Sequence, residues 1–303
     1  MFARLSYLLI ASLAWVGIAQ ACDMSLDRRS TAVDDYVRNG KDCLRRPVGG
    51  FVYSPSMEAE FVALINQARA THGLESLKLR QETQGAARFH SLDMAVNGFF
   101  DHASPDGRKH GARIAAFDRR LFTRMSAENV AMSELICEDW RGERIDCAKL
   151  PDRRKAYTAD VIEGLHQQLM DSPGHRKNIL SHDATHISLG VAVKGDAVYV
   201  TQLFTQPVGV LDEPLPTRLA PGQALDLNIT MANWRFKRFA LFKRFARQDL
   251  FAPELPEDMD GDYKLGFRGE RTVEADTSEG AGSYEFIYLP GPAFTSISTK
   301  ESS

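Results

Sequence analysis

Three short stretches decide how this chain folds: Phe99-Phe100-Asp101-His102-Ala103-Ser104-Pro105-Asp106-Gly107, Ala127-Glu128-Asn129-Val130-Ala131, and Ser172-Pro173-Gly174-His175-Arg176-Lys177-Asn178-Ile179-Leu180. The periodicity around them is that of an α+β layer structure. Upstream, Ser54-Pro55 reads as a helix start, with Phe61, Leu64, Ile65 and Ala68 as one apolar stripe and Gly73 as the stop. A second helix spans roughly Gln81 to Asn97, with Ala87, His90 and Met94 on one face and Gly98 in the C-terminal stop position. A third runs from about Thr158 to Asp171 on a stripe of Val161, Ile162, Leu165 and Leu169. The period then shifts to two. Ile187 to Val193, a Lys194-Gly195-Asp196 turn and Ala197 to Phe204 read as a β-hairpin. Helices preceding strands, without regular βαβ alternation, predict an α+β fold.

The composition, 44% hydrophobic and 25% charged, is that of an ordinary globular protein, and 303 residues suggest two domains. The Pro/Gly-dense stretch from Pro207 to Gly222 marks the expected boundary. Beyond it Leu225, Leu227, Ile229 and Met231 alternate with polar residues, and Phe286 to Leu289 form another strand candidate. A small β-sandwich is the simplest architecture for 207–303. Residues 22–50 are polar and read as an N-terminal arm.

Residues 1–21 have the form of an export signal. Arg4 supplies the positive start, Leu5 to Ala19 is nearly all apolar, and Ala19-Gln20-Ala21 has the small-x-small form of a cleavage site. The apolar run is shorter than a membrane span, so the expected product is soluble and periplasmic or secreted. The four cysteines, Cys22, Cys43, Cys137 and Cys147, are an even set that favours disulfides in an oxidising compartment. Three pairings are open. The local one, Cys22 with Cys43 and Cys137 with Cys147, is preferred because each closes a modest loop. The competing reading of Cys22 is a lipidated N-terminus, which would leave three thiols.

Taken in order and closed by Thr201-Gln202-Leu203-Phe204, the three motifs resemble the bacterial SCP-like branch of the CAP superfamily, the group of cysteine-rich secretory proteins, antigen 5 and pathogenesis-related proteins. The resemblance covers about residues 51 to 206. It implies a CAP-type α-β-α sandwich, here followed by a small mainly-β domain. It further implies a cleft carrying two histidines and two acidic residues, of which His102, Glu128 and His175 carry over directly. The fourth is where this chain departs. Glu163 lies roughly 160° from Leu165 around its helix at about 100° per residue, facing solvent. Ser172 is better placed, so a serine is expected where the family has an acid.

Two neutral imidazoles and a carboxylate suit zinc or another divalent metal with a position left for water. The alternative is that Glu128 and the histidines hydrogen-bond one another and fix the loops over the sheet. His90, on an apolar helix face, is a core histidine or a residue standing behind the site. His182 and His186 read as solvated. No nucleophile-elbow Gly-x-Ser-x-Gly accompanies Ser172, so no catalytic residue is assigned.

The stretch from Trp234 to Arg247 holds six positive charges and five aromatics with no acid. Such a segment fits an anionic membrane surface or an acidic envelope polymer. As plain structure it is two strands with phenylalanines inside and basic residues solvated. Nucleic acid is excluded by export and a net charge of −3. The resemblance implies binding of sterols, fatty acids and other hydrophobic ligands, and in some members proteolysis. The first expectation is therefore an exported binding module for a small-molecule or lipid ligand. The alternatives are a metal-dependent hydrolase of envelope peptide or glycan and an envelope adhesion protein using the basic-aromatic segment.

Overall fold

The computed structural model describes residues 22, 24, 32–45, 51–134, 137–138, 141, 143–145, 154–244, 246–252, 254–273 and 283–297. The expected export signal and Cys147 lie outside them, and with Cys147 the expected second disulfide. Cys22 and Cys43 are joined, their Cα atoms 4.7 Å apart. Closing a loop between residues 21 apart in sequence removes unfolded-state freedom worth about 3 kcal/mol. Cys43 sits on α1 (Val33–Arg45), a helix with Val33, Tyr36 and Val37 buried. The arm is thus part of the core: the Tyr36 ring meets Phe89 at 5.3 Å and Phe117 at 5.7 Å, both edge-on.

The central elements are β1 (Phe51–Tyr53), α2 (Pro55–Thr71), β2 (Lys78–Leu79), α3 (Gln81–Asn97), α4 (His110–Phe117), β3 (Leu121–Glu134), the short pair β4 (Cys137–Glu138) and β5 (Arg144–Ile145), α5 (Arg154–Asp171), α6 (Pro173–Ile179), β6 (His186–Lys194) and β7 (Ala197–Leu211). Ser54 caps α2 by accepting from the Met57 N–H at 3.4 Å, and Pro55 takes the first turn, where its missing N–H costs nothing. α3 ends at Gly98 in the left-handed region, φ 67°.

Strand order is β1-β6-β7-β3, with β2 beside β6. One face buries Leu189, Val191, Val198, Val200 and Phe204 under α2 and α5, through Phe61, Ile65, Ile162, Leu165 and Leu169. The other receives α3 through Ala87 and Leu92, with α1 and α4 joining the same cluster through Val37, Ile114 and Phe117. This is the expected α-β-α sandwich. Gly190 sets how closely α3 approaches: a Cβ there would lie 2.4 Å from the Ala87 carbonyl. Ser91 of α3 locks the contact by donating to the Gly190 carbonyl at 2.8 Å.

The expected boundary does not begin with a loop. β7 runs on to Leu211, and Pro207 is accommodated opposite Thr123, where the β3–β7 register shifts. A bulge is where a residue without an N–H fits a strand. The remaining strands are β8 (Arg218–Leu219), β9 (Ile229–Met231), β10 (Arg235–Lys243), β11 (Ala246–Asp249), β12 (Gly261–Val273) and β13 (Ser283–Ser296). Of the alternating run from Leu225, only Ile229–Met231 is a strand, and it extends the central sheet beside β7. The others form one sheet in the order β11-β10-β12-β13-β8, in place of the expected sandwich. Its second layer is the end of the central sheet. Phe122, Val208 and Leu211 pack with Phe239, Leu241, Leu265, Phe267 and Phe294, and the Phe122 and Phe267 rings meet at 5.0 Å. Buried Arg119 stitches the seam, donating to the carbonyls of Ala116, Leu215, Pro216 and Ala293. Burial pushes its guanidinium down to about 10.

Candidate functional site

The site is assembled from four elements around Glu128. On β3 this carboxylate is buried, 1% exposed, so both oxygens need partners. His102, on the loop between α3 and α4, donates from Nδ1 to Oε1 at 2.9 Å, and Arg113 of α4 donates to Oε2. The His102 side chain is 53% exposed, whereas Arg113 is fully buried. With Nδ1 engaged by Glu128, the Nε2 edge of the half-exposed His102 ring is left for the open side.

The loop bearing His102 is fastened from beneath. Arg113 donates to the carbonyls of His102 at 3.0 Å and Arg108 at 2.6 Å, and to the Ser104 hydroxyl at 3.1 Å. Ser104 reaches His90 Nδ1 at 3.4 Å, while His90 Nε2 donates to the Asp101 carbonyl at 3.0 Å. His90 is buried with its ring 5.9 Å from that of Phe99. A continuous hydrogen-bonded path therefore runs from the core face of α3 to the exposed imidazole.

α6 brings in His175. Two motif asparagines hold it there: Asn178 donates to the Glu128 carbonyl at 3.2 Å and to Asn129 Oδ1 at 2.8 Å, and Asn129 donates to the His175 carbonyl at 3.2 Å and to Gln202 Oε1 at 3.0 Å. Burial, with a smaller push from His102, holds the half-buried His175 imidazole below the usual histidine range. Ser172 occupies the N-cap position of α6 without a side-chain capping bond, and Glu163 is exposed as its helical angle predicts.

Sequence reading passed over Arg113 and His110. His110 opens α4, and burial holds its imidazole below the usual range against the pull of Glu128 and a hydrogen bond to the Ser126 backbone. The available signal was the His110/Arg113 spacing, which places both on one side of a helix. Nothing local says that the side faces β3.

Among the described residues, no three His, Cys, Asp or Glu side chains are grouped to hold one metal ion. Glu128 gives both oxygens to His102 and Arg113, which puts it behind an imidazole as an orienting carboxylate. His182 and His186 line a different cavity of about 300 Å³, with Arg69. The basic-aromatic segment forms the hairpin β10–β11. Phe239 enters the core, and neighbouring acids meet the cations: Lys237 pairs with Glu270 at 3.0 Å, Arg238 with Asp249 at 3.6 Å, and Arg247 stacks 3.6 Å over Tyr288.

Residues 62–205 match the family model of the cysteine-rich secretory proteins, CAP. The chain carries a CAP domain. Two Bacillus subtilis proteins are similar over this region: YkwD, 28% identical over 138 residues, and the membrane protein YlbC, 31% identical over 147 residues. The matches take in 46% and 48% of this chain but only 43% and 34% of those relatives. The chain therefore spans less than half of either relative's length. A solved structure of an extracellular SCP-domain protein from Bacillus anthracis is 26% identical, covering 50% of this chain and 40% of that one, with a TM-score of 0.38. The CAP match holds His102, Glu128 and His175, while the C-terminal sheet itself lies beyond its end.

Proposed function

We propose that this is an exported CAP-domain binding protein whose open cleft engages a small ligand through His102 and His175. The 2.9 Å bond from His102 Nδ1 to Glu128 carries the reading, because it fixes the tautomer and aims Nε2 outward on a buried, charge-balanced support. Phe100, half exposed two residues from His102, offers the apolar contact that a hydrophobic ligand needs. Export is supported by the signal-like residues 1–21 and by the Cys22–Cys43 disulfide, which engages the thiol that lipidation of Cys22 requires.

Two imidazoles on adjoining elements also suit a borderline-soft divalent ion such as zinc. His102 and His175 would hold it, Glu128 would orient His102, and solvent or ligand would complete the coordination. A bound metal would supply Lewis acidity. The residues themselves bind, orient and hold a proton on Nδ1.

Calorimetric zinc titration of the metal-stripped protein, beside His102→Ala and His175→Ala, tests this. One-to-one binding lost in both variants supports the two-imidazole cleft and opens the hydrolase reading to substrate screening. Binding unchanged in both variants removes the metal from the cleft, and retained binding of lipid and envelope ligands by both variants overturns the proposal.

A further inference from the structure

A cavity of about 420 Å³ lies at the seam between the CAP region and the C-terminal sheet. One wall is α1 and the loop around Arg108. The other is the sheet, through Phe242, Tyr263, Lys264 and Pro290. Its volume falls in the range of small-molecule sites, which favour such junctions.

The charges of its wall are unevenly satisfied. Asp106 is paired with Arg108, and Arg108 also lies 4.1 Å over the Tyr36 ring. Asp262 accepts from the Thr295 hydroxyl at 2.7 Å and the Val33 N–H at 3.1 Å. Lys243, next to the wall rather than in it, has the Asp260 carbonyl at 2.7 Å and the Tyr263 hydroxyl at 3.1 Å. The Lys264 ammonium has no hydrogen bond or ion pair with any described residue. It lies on the sheet face shared with Phe242, its cross-strand partner, and burial holds its ammonium below the usual lysine range. Arg244 stands exposed at the rim, adding a second cation.

A desolvated ammonium without a counter-ion among the described residues, flanked by an aromatic side chain and a proline, is half of a recognition pair. We infer that the seam cavity binds a small organic anion: one carboxylate placed on Lys264 with Arg244 beside it, and a compact aromatic or apolar body laid against Phe242 and Pro290. The site draws on both parts of the chain. It is separate from the histidine cleft and stands or falls independently of the reading given above.

The probe is 2-naphthoate, followed by its own fluorescence, with neutral 2-naphthylmethanol as the comparison. The full protein is expected to bind one naphthoate. Lys264→Met should weaken it roughly tenfold or more, the loss of one charge-assisted contact. The same variant should change the alcohol less than twofold, and His102→Ala should leave naphthoate binding unchanged. Independently of any variant, saturating naphthoate should protect Lys264 from an amine-acylating reagent, mapped by peptide mass. No saturable naphthoate binding up to about 1 mM, equal losses for acid and alcohol, dependence on His102, or an unprotected Lys264 at saturation would each overturn the inference.

Discussion

Arg113 carries more of the cleft than the residues that face solvent. Its guanidinium balances Glu128 and ties down the His102 loop at two carbonyls and a hydroxyl. Removing one partner of a buried pair leaves the other charge uncompensated. Arg113→Met is therefore expected to destabilise the fold by about 3–5 kcal/mol in urea unfolding, with much of the loss recovered in Arg113→Met/Glu128→Leu. Glu128→Gln keeps the shape but weakens the orienting acceptor. On the proposed zinc reading, affinity by calorimetry should fall roughly 10- to 100-fold in that variant, while the fold persists. At this scale His102, Glu128 and His175 were legible because they sit in short motifs with polar neighbours. Arg113 and His110 were not, since their meaning depends on α4 lying against β3.

The contact between α3 and the central sheet depends on a glycine. Gly190→Ala drives a Cβ into the α3 backbone at Ala87, which cannot yield as a flexible side chain would. The expected cost is about 1–3 kcal/mol or more, read as a lower denaturation midpoint. Gly164→Ala is the matched control in an exposed position of α5, with nothing within 4 Å of the new Cβ. It should stabilise by about 0.5–1 kcal/mol from helix propensity alone. The helices and the β6–β7 hairpin were legible from periodicity and stop signals, which are local. The continuation of β7 through Pro207 was not, because the bulge that admits a proline is made by its partner strand β3.

The CAP region and the C-terminal sheet share one apolar seam, so the chain should not divide cleanly. A truncation after Gln206 removes Val208 and Leu211 from around Phe122 and deprives Arg119 of the Leu215, Pro216 and Ala293 carbonyls. Light scattering and urea unfolding should show an aggregating, destabilised product. Stability should also depend on pH. Burial, the largest cause in each, holds His110, His166, His175 and His186 below the ordinary histidine value. The unfolded chain then binds more protons as pH falls through about 6.5. The stabilisation is thus fully present above that pH and is lost progressively below it, a fall in melting temperature between about pH 7 and pH 5 that calorimetry measures.

By itself the sequence determined the α+β class and the family, and it pointed to an export signal and to His102, Glu128 and His175 as candidates, because these rest on local pattern: an apolar run, a change of period, a motif. The tertiary structure decided that Glu128 serves His102, that the polar arm enters the core, that the basic hairpin meets its acids on neighbouring strands, and that the C-terminal sheet borrows its second layer from the first domain. Each of these joins groups far apart in the chain. Burial, charge balance and packing act on distances in space, which no local pattern specifies.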